Sequence, residues 1–311
     1  MNRVTRSLQM LIVSFFWAIG HPLGRIITQK MHPFQLAGIT LIAGFFSLFI
    51  YLVIKGDVKK IFKLPIRDIL ISLGLGVVGF FLYQIFTFSA LSRIPASINA
   101  VLISTNVVFI AILSVIILKE RIKLLNVVGI ILAFIGVLFV TFNQGFSFGI
   151  GSTKMDFIGI AFSLMAALCS ALYSVIGKKI LSSNDPLIIT VLALFFGAVL
   201  QTILIASTIG FSEIAVAGWK INLLTVFLGI TMIGIAYPLW FVCLKAFPAT
   251  QISIYMYLTP VFAIILSLII LKERFSWLFW VGGVLILVGI VITNAAINKK
   301  SKVQIGEAED A

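Results

Sequence analysis

Residues 260–274 read PVFAIILSLIILKER, and residues 107–121 read VVFIAILSVIILKER, which is nearly the same phrase 153 positions earlier. Between residues 95–121 and 248–274, 13 of 27 aligned positions are identical without a gap. The same offset aligns glycines and prolines elsewhere in the chain, in the pairs Pro33/Pro186, Gly76/Gly229, Gly129/Gly282 and Gly136/Gly289. Shared apolar composition does not produce a constant register of these residues, so the sequence predicts an internal duplication.

The composition indicates that lipid is the solvent for most of this chain. Hydrophobic residues make up 61% of the sequence and charged residues 11%, and the mean hydropathy is +1.20. A soluble domain carries roughly 25% charged residues, whereas a spanning helix needs about 20 mostly apolar residues. We therefore predict an all-α membrane protein with ten transmembrane helices, at 7–27, 33–54, 68–91, 95–118, 123–142, 156–178, 186–209, 220–244, 248–271 and 276–297.

Several function classes are disfavoured. The formal net charge is +13, but the basic residues lie between apolar runs, which is typical of topology signals and not of a nucleic-acid patch. Cys169 and Cys243 lack the spacing of a metal or redox motif. The chain contains no Walker A, HExxH or GxSxG sequence. We expect no enzyme activity, no cofactor and no metal.

The duplication has a mechanical meaning. Each copy holds five predicted helices, residues 1–143 and 154–297, and because five is odd the second copy enters the membrane inverted. Inverted repeats can exchange conformations, so that a site between them opens alternately to each side of the membrane. With both termini cytoplasmic, 16 of the 23 Lys and Arg residues lie inside, as the positive-inside rule favours. The tail at 298–311 is predicted to be disordered and cytoplasmic.

The repeat carries a family resemblance. The stretch LWFVCLKAFPATQISIYMYLTPVFAIILSLIILKER (239–274), followed by WVGGVLILVGIVI, resembles the second half of an EamA-type transporter of the drug/metabolite transporter superfamily. The first half, from FWAIGHPLGR through ILKER to VVGIILAFIGVLFV, resembles the other EamA repeat. This resemblance implies a central cavity lined mainly by helices 1, 3, 4, 6, 8 and 9, and often the export of amino acids or related metabolites.

The chain departs from the family pattern in two places. Helix 2 reads LAGITLIAG, without the arginine that many members carry, and helix 4 has Asn106-Val107 where helix 9 has Thr259-Pro260. No Asp or Glu lies well inside any predicted span. The small multidrug-resistance transporters, which resemble this fold class, need such a carboxylate to exchange protons for cations. A strongly cationic substrate is correspondingly disfavoured, although aromatic faces still offer a place for a cation.

His21 is the titratable side chain within a predicted span whose ordinary pKa lies near neutrality. It could shuttle protons or bind a substrate carboxylate, or it could simply hydrogen-bond across a helix contact. Pro22 follows directly and removes the hydrogen bond to the Ala18 carbonyl, which predicts a kink. Arg25 and Lys178 occupy equivalent ends of helices 1 and 6; they could draw a carboxylate toward each mouth or snorkel to lipid headgroups.

Polar and aromatic residues on the expected cavity helices complete the candidate substrate site. An amide or hydroxyl in a span can touch a ligand or join two helices. The candidates on helices 3, 4, 6, 8 and 9 are Gln84, Asn99, Asn106, Tyr173, Tyr237, Trp240, Gln251 and Tyr255. Pro238 and Pro260 are predicted to bend helices 8 and 9 and to act in gating. The Lys-Glu-Arg tripeptides are predicted to anchor helices to one another and to lie outside the site.

The sequence as a whole predicts a secondary transporter of the cell membrane (inner or plasma membrane). The expected substrate is a small metabolite, first of all a neutral or zwitterionic amino acid moved outward. Protons are a candidate coupling ion. The other partners are the lipid bilayer and, at most, a second copy in a weak dimer, with no nucleic acid. Two alternatives remain open: transport of a nucleoside, sugar or organic anion, and a membrane scaffold that transports nothing.

Overall fold

The computed structural model describes residues 3–118, 124–141, 156–181, 185–246, 258–289 and 291–292. Within those ranges the chain is helical, with short connecting turns and no strand. Six of the described helices are long and apolar enough to cross a membrane, and four shorter apolar helices accompany them. The protein is therefore an all-helical, multi-pass membrane protein.

The first half contains helices α1 to α5, whose bounds agree with the predicted spans to within a few residues. They are α1 Arg3–Thr28, α2 Pro33–Ile54, α3 Ile66–Leu91, α4 in two pieces (Ala96–Ile103 and Asn106–Leu118) and α5 Leu124–Thr141. A short 3₁₀ helix, Val58–Lys63, lies in the loop between α2 and α3.

The second half contains helices α6 to α10. They are α6 Phe157–Leu181, α7 Pro186–Thr208, α8 in three consecutive segments (Trp219–Gly229, Ile230–Ile235 and Ala236–Ala246), α9 Leu258–Ile270 and α10 Trp277–Gly289. A short helix, Ser212–Val216, precedes α8. The beginning of the predicted span 248–271 lies outside the described residues.

Two helices contain a π-helical segment at the same repeat position. In α3 it covers Val77–Leu82 and in α8 it covers Ile230–Ile235, 153 residues later. Pro238 follows the second segment and cannot donate to the Gly234 carbonyl, which agrees with the predicted disturbance of helix 8. The π segment in α3 forms without a proline, so proline is not its general cause. π segments are frequent at functional sites.

Helix 4 is interrupted, although the sequence predicts one continuous span at 95–118. The break falls at Ser104 and Thr105, whose hydroxyls donate to the carbonyls of Val101 and Leu102, each over 2.6 Å. Such hydroxyl bonds give these backbone carbonyls a side-chain partner that competes with the regular helical hydrogen bond. Asn106 therefore begins a second helical piece in place of lying within a continuous helix.

Polar side chains fix where helices begin. His32 Nδ1 accepts from the Phe34 N–H at 3.2 Å, and its repeat counterpart Asp185 accepts from the Leu187 N–H at 3.0 Å. At the start of α6, Asp156 accepts from the Gly159 N–H at 2.9 Å. Desolvation opposes ionisation of Asp156, but this bond and Arg93 outweigh it and hold the pKa of the carboxyl below its ordinary value. These caps satisfy amides that the helix leaves unpaired.

Helices α5 and α10 cross in close backbone contact through glycines. A Cβ on Gly136 would lie 2.6 Å from the Gly282 carbonyl oxygen, and a Cβ on Gly282 would lie 2.7 Å from the Gly136 carbonyl oxygen. One on Gly289 would lie 2.5 Å from the Gly129 carbonyl oxygen. Small residues are what allow membrane helices to approach this closely.

Gly282→Ala is expected to destabilise the protein, and the neighbouring Gly283→Ala to be nearly neutral. A Cβ at Gly282 meets backbone atoms of Gly136 and Val140, both at 2.7 Å, whereas a Cβ at Gly283 meets nothing within 4 Å. Overpacking of this kind costs on the order of 1–3 kcal/mol. The melting temperatures of the two purified variants in the same detergent check this expectation. Equal melting temperatures would show that α5 and α10 do not cross at these glycines.

Candidate functional site

A buried hydrogen-bonded triad connects α1, α4 and α6. Asn99 Nδ2 lies 3.1 Å from His21 Nδ1, and the Ser163 hydroxyl donates to Asn99 Oδ1 over 2.7 Å. Asn99 and Ser163 are fully buried, and His21 is 9% exposed. The predicted cross-helix hydrogen bond of His21 is therefore present, with Asn99 as its partner. Buried polar groups that satisfy one another in this way fix how three helices pack.

The triad can accommodate His21 with or without a proton on Nδ1. With Asn99 Nδ2 as donor, Nδ1 must carry no proton. A half-turn of the Asn99 amide would let a protonated Nδ1 donate to Oδ1, while Nδ2 donates to Ser163 Oγ. The Ser163 hydroxyl would then donate to the Gly159 carbonyl, which lies 3.2 Å away. Rotation of one side chain thus reverses the direction of the chain of hydrogen bonds.

A second polar contact lies two helical turns along the same pair of helices. Asn106 Nδ2 donates to Ser170 Oγ over 3.2 Å. Asn99 and Asn106 are seven residues apart on α4, and Ser163 and Ser170 are seven residues apart on α6. Residues seven apart share a helix face, so α4 and α6 run parallel with two amide–hydroxyl contacts between them. Both asparagines were candidates from the sequence, whereas the two serines were not.

Aromatic rings from four helices form a cluster beside these polar contacts. The Trp17 ring lies 5.9 Å from the Tyr237 ring and 5.7 Å from the Trp240 ring, measured between centroids. Phe80 lies 5.6 Å from Tyr173 and 5.9 Å from Tyr237. These distances are those of interacting aromatic pairs. The candidates Tyr173, Tyr237 and Trp240 are thus brought together, and Trp17 joins them.

Three tyrosines of this region, Tyr83, Tyr173 and Tyr237, are half-buried. Tyr173 and Tyr237 pack against the hydrophobic cluster that contains Phe80. The Tyr173 hydroxyl lies 3.4 Å from Thr190 Oγ1. This region therefore contains phenol groups as well as ring faces.

Trp17 ties the aromatic cluster to the π segment of α8. Its indole Nε1–H donates to the Met232 carbonyl over 3.0 Å. A π segment widens the helix and leaves carbonyls that side chains can reach. Next to it, a Cβ on Gly20 would lie 2.4 Å from the Met232 sulfur, so α1 and α8 are in close contact. The position of Trp17 is therefore set by α8 as well as by α1.

Arg25 serves as a link between helix ends. Its Nη1 donates to the Leu91 carbonyl, the last residue of α3, over 2.5 Å, and its charge interacts with Glu273. Glu273 accepts from the Ala96 N–H at 2.7 Å, from the Ser97 N–H at 3.3 Å and from the Ser97 hydroxyl. Interhelix anchoring, predicted for the Lys-Glu-Arg tripeptides, is thus found at Glu273.

The remaining candidates are less informative. Gln84 is buried on α3, and Pro22 lies inside α1, which continues as a helix to Thr28. Pro260 lies in the first described turn of α9, and the residues that directly precede Leu258 lie outside the described residues. Gln251 and Tyr255 lie outside the described residues, and of Lys178 only the helical backbone is described. Among the described side chains, no three of His, Cys, Asp and Glu lie together as metal ligands would.

The arrangement suits reversible binding of a small molecule inside a membrane. Amides, hydroxyls and aromatic faces from five helices meet near interruptions in α3, α4 and α8. Transporters place substrate sites at such discontinuous helices. Fold and site together define a multi-pass membrane protein built like a solute carrier.

The comparisons with known proteins identify the class. The EamA-like transporter family matches residues 6–142 and 157–295, so the chain belongs to that family and is a transporter of the EamA kind. An uncharacterized transporter of Clostridium kluyveri is 30% identical over 296 residues, covering 94% of this chain and 93% of that protein. An uncharacterized transporter of Archaeoglobus fulgidus is 27% identical over 280 residues, covering 89% and 94%.

A solved structure shares the fold. A protein of known crystal structure superposes with a TM-score of 0.63 at 20% sequence identity, covering 94% of this chain and 96% of that one. At this identity the likeness concerns the fold alone.

Proposed function

We propose that this protein is a secondary transporter that moves a small metabolite by alternating access. Its ten transmembrane helices form two inverted five-helix repeats, residues 1–143 and 154–297. The observation that carries the proposal is the repetition of a helix irregularity: the π segments Val77–Leu82 and Ile230–Ile235 occupy the same repeat position. Equivalent irregular segments on both halves fit an exchange between two mirrored conformations.

The crossing of α5 and α10 also supports this architecture. Gly129 and Gly136 are the repeat counterparts of Gly282 and Gly289. The contacts pair Gly136 with Gly282 and Gly129 with Gly289, so each contact is the repeat counterpart of the other. A two-fold axis that relates the two halves produces such a reciprocal pattern.

The lining of the site favours a neutral or zwitterionic amino acid. The ring faces of Trp17, Tyr237 and Trp240 can hold an ammonium group or an apolar side chain. Asn99 and Asn106 offer amides for the polar end. A permanently charged substrate would meet no opposite charge among the described side chains at this depth. The proposed direction of transport is export across the cell membrane, starting from the cytoplasmic side, where both termini lie.

Two other functions make different predictions. A carrier of nucleosides, sugars or organic anions would bind those compounds through the same aromatic and amide groups and would not bind amino acids. A scaffold that transports nothing would bind no small solute. The polar and aromatic groups that α1, α4, α6 and α8 bring together favour a carrier.

A ligand panel tests the substrate class. Purified protein is melted in detergent with each amino acid, nucleoside, sugar and organic anion in turn. Ligand at 100 times its Kd stabilises the folded state by about 2.7 kcal/mol, which raises the melting temperature by several degrees. We expect such a shift with at least one neutral amino acid. A shift with compounds of another class only would overturn the amino acid proposal.

Coupling to protons is proposed to occur through His21. We expect transport by the wild type to respond to a pH gradient, because the Asn99–Ser163 pair can serve the Nδ1 atom of His21 with or without its proton. His21→Gln keeps a partner for Asn99 but cannot titrate, so its transport is expected to be independent of the gradient. Substrate exchange without a gradient, measured in parallel, shows whether the variant is intact. A gradient response that persists in His21→Gln would contradict coupling at this residue.

A further inference from the structure

Residues 55–67, the basic segment, run from the end of α2 into the first turn of α3. The 3₁₀ helix Val58–Lys63 lies at the centre of this segment. The charged residues of the segment are five cations and one carboxylate, namely Lys55, Lys59, Lys60, Lys63 and Arg67 with Asp57. A short surface segment of this composition is strongly basic.

One face of the 3₁₀ helix holds the basic segment against the bundle. Val58, Ile61 and Leu64 pack against a buried apolar cluster of α2 and α7 that includes Leu52 and Leu187. A 3₁₀ helix has three residues per turn, so residues three apart share a face. The remaining faces of the helix are therefore turned away from the bundle in a fixed orientation.

The outward faces combine apolar and basic side chains. Phe62 is 85% exposed, and Lys59, three residues before it, is exposed on the same face. The ends of the two adjoining spanning helices continue the apolar surface, with Ile54 80% exposed at the end of α2 and Ile66 70% exposed at the start of α3. The basic segment thus prolongs the lipid-facing surface of α2 and α3 to the place where both helices leave the membrane.

The carboxylate of the segment pairs with two of the five cations. Asp57 lies 2.7 Å from the Lys60 ammonium and 3.0 Å from the Lys55 ammonium. The exposed cations that form no ion pair with any described residue are Lys59, Lys63 and Arg67. Exposed cations beside an exposed aromatic ring are typical of surfaces that lie in the membrane interface.

The repeat supplies an internal contrast. Residues 208–220, the counterpart segment, also contain a short helix and exposed apolar side chains, among them Val216, which is 84% exposed. Ser212 and Val216 stand where the basic segment has Lys59 and Lys63, and the counterpart segment carries one lysine and one glutamate. Both loops therefore expose apolar groups, whereas the cluster of cations belongs to one loop alone. Connecting the second and third helices of a repeat does not require these cations.

We propose that the basic segment is a docking surface for the headgroups of anionic phospholipids. Phe62 and Ile66 enter the boundary between headgroups and acyl chains, and the three unpaired cations bind the lipid phosphates. Each basic residue near a membrane surface raises the affinity for anionic lipid about fivefold. With both termini cytoplasmic, as proposed above, this surface lies at the cytoplasmic leaflet. The counterpart segment meets the opposite leaflet without a preference for charge, and neither statement depends on which solute is transported.

Lipid binding to the purified full-length protein in a neutral detergent tests the proposal. Phosphatidylglycerol and phosphatidylcholine with the same acyl chains are titrated separately, and bound lipid is counted by native mass spectrometry. We expect the wild type to bind phosphatidylglycerol more tightly. The triple variant Lys59→Gln, Lys63→Gln and Arg67→Gln should bind phosphatidylglycerol about tenfold more weakly or worse, since three cations are lost, and should bind phosphatidylcholine as the wild type does.

Matched variants separate this surface from a general effect of charge. Lys220→Gln removes the exposed cation of the counterpart segment and should leave both affinities unchanged. Lys59→Arg with Lys63→Arg keeps the charges and should keep the preference. Phe62→Ala should weaken the binding of both lipids alike. Higher salt should reduce the preference of the wild type itself, which tests the charge contribution without any substitution.

The outcomes either support or overturn the proposal. Equal affinity of the wild type for both lipids overturns it, and so does a preference that persists in the triple variant with an unchanged melting temperature. An equal loss in Lys220→Gln overturns it too, because any surface cation would then serve. Polyglutamate is titrated in parallel, and tighter binding of this acidic peptide than of phosphatidylglycerol would replace the lipid with a protein partner.

Discussion

Asn99→Leu is expected to abolish transport in a protein that still folds. The leucine has nearly the same volume but can neither donate to His21 nor accept from Ser163, and all three side chains are buried. A buried polar group left without its partner costs about 1–3 kcal/mol. That loss falls on the contact that holds α1, α4 and α6 in register, so we expect the transport rate to fall more than tenfold. Transport and melting temperature are measured on the same preparation.

The serines of α6 provide the matched controls for that experiment. Ser163→Ala removes one bond of the triad and should give an intermediate loss. Ser174→Ala removes a hydroxyl that is exposed and bonds only within its own helix, to the Ser170 carbonyl at 2.8 Å, and should transport normally. Normal transport by folded Asn99→Leu would show that the triad has no part in the cycle.

Trp17→Leu is expected to weaken substrate binding severely. The change removes the bond from Nε1 to the Met232 carbonyl and the ring contacts with Tyr237 and Trp240. Each aromatic pair contributes about 0.5–1.5 kcal/mol beyond its buried area, and the ring face that we propose to hold the ligand is lost as well. We expect KM to rise about tenfold or more, with a smaller change in maximal rate.

Two further tryptophan variants locate the effect. Trp17→Phe keeps a ring face and loses the indole donor, so it should fall between wild type and leucine. Trp277→Leu changes a ring that is 70% exposed on α10, and its KM should match that of the wild type. A tenfold rise in KM for Trp277→Leu as well would mean that the effect is general destabilisation and not loss of a binding face.

The helices were predictable because apolar length and helix-start signals are local features of the sequence. Pro33 and Pro186 begin α2 and α7 as expected, each after a capping side chain. The interruption of α4 at Ser104 and Thr105 was not predicted, because serine and threonine also occur in unbroken spans, where their hydroxyls bond within the helix. The position of the π segments was equally hidden, since Val77–Leu82 contains neither proline nor a polar residue.

The candidate site was most predictable where a residue is costly in lipid. His21, Asn99 and Asn106 stand out in apolar runs, and the structure gives each a partner on another helix. Ser163 and Trp17 did not stand out, because both residue types are common in membrane helices. Their importance arises from which helices pack together, and that depends on long-range contacts between the two halves. The sequence signal that was available for the serines is the seven-residue spacing between Ser163 and Ser170, which places both on one face of a helix.

Arg25 shows the limit of arguing from residue type. A cation at the end of a spanning helix suggests attraction of a carboxylate substrate or snorkelling to headgroups. In the structure its guanidinium is committed to the Leu91 carbonyl and interacts with Glu273. The partners come from distant parts of the chain, so only the folded arrangement reveals them.

Counterflow in proteoliposomes tests the central claim most directly. Vesicles are loaded with an unlabelled solute, and the same solute carrying a label is added outside in trace amount. If the protein is an alternating-access carrier, a labelled neutral amino acid should accumulate transiently inside wild-type vesicles, above its concentration outside. Vesicles that contain Asn99→Leu should show no such accumulation. Label uptake that is equal in loaded, empty and protein-free vesicles for every amino acid, nucleoside, sugar and organic anion would contradict the account.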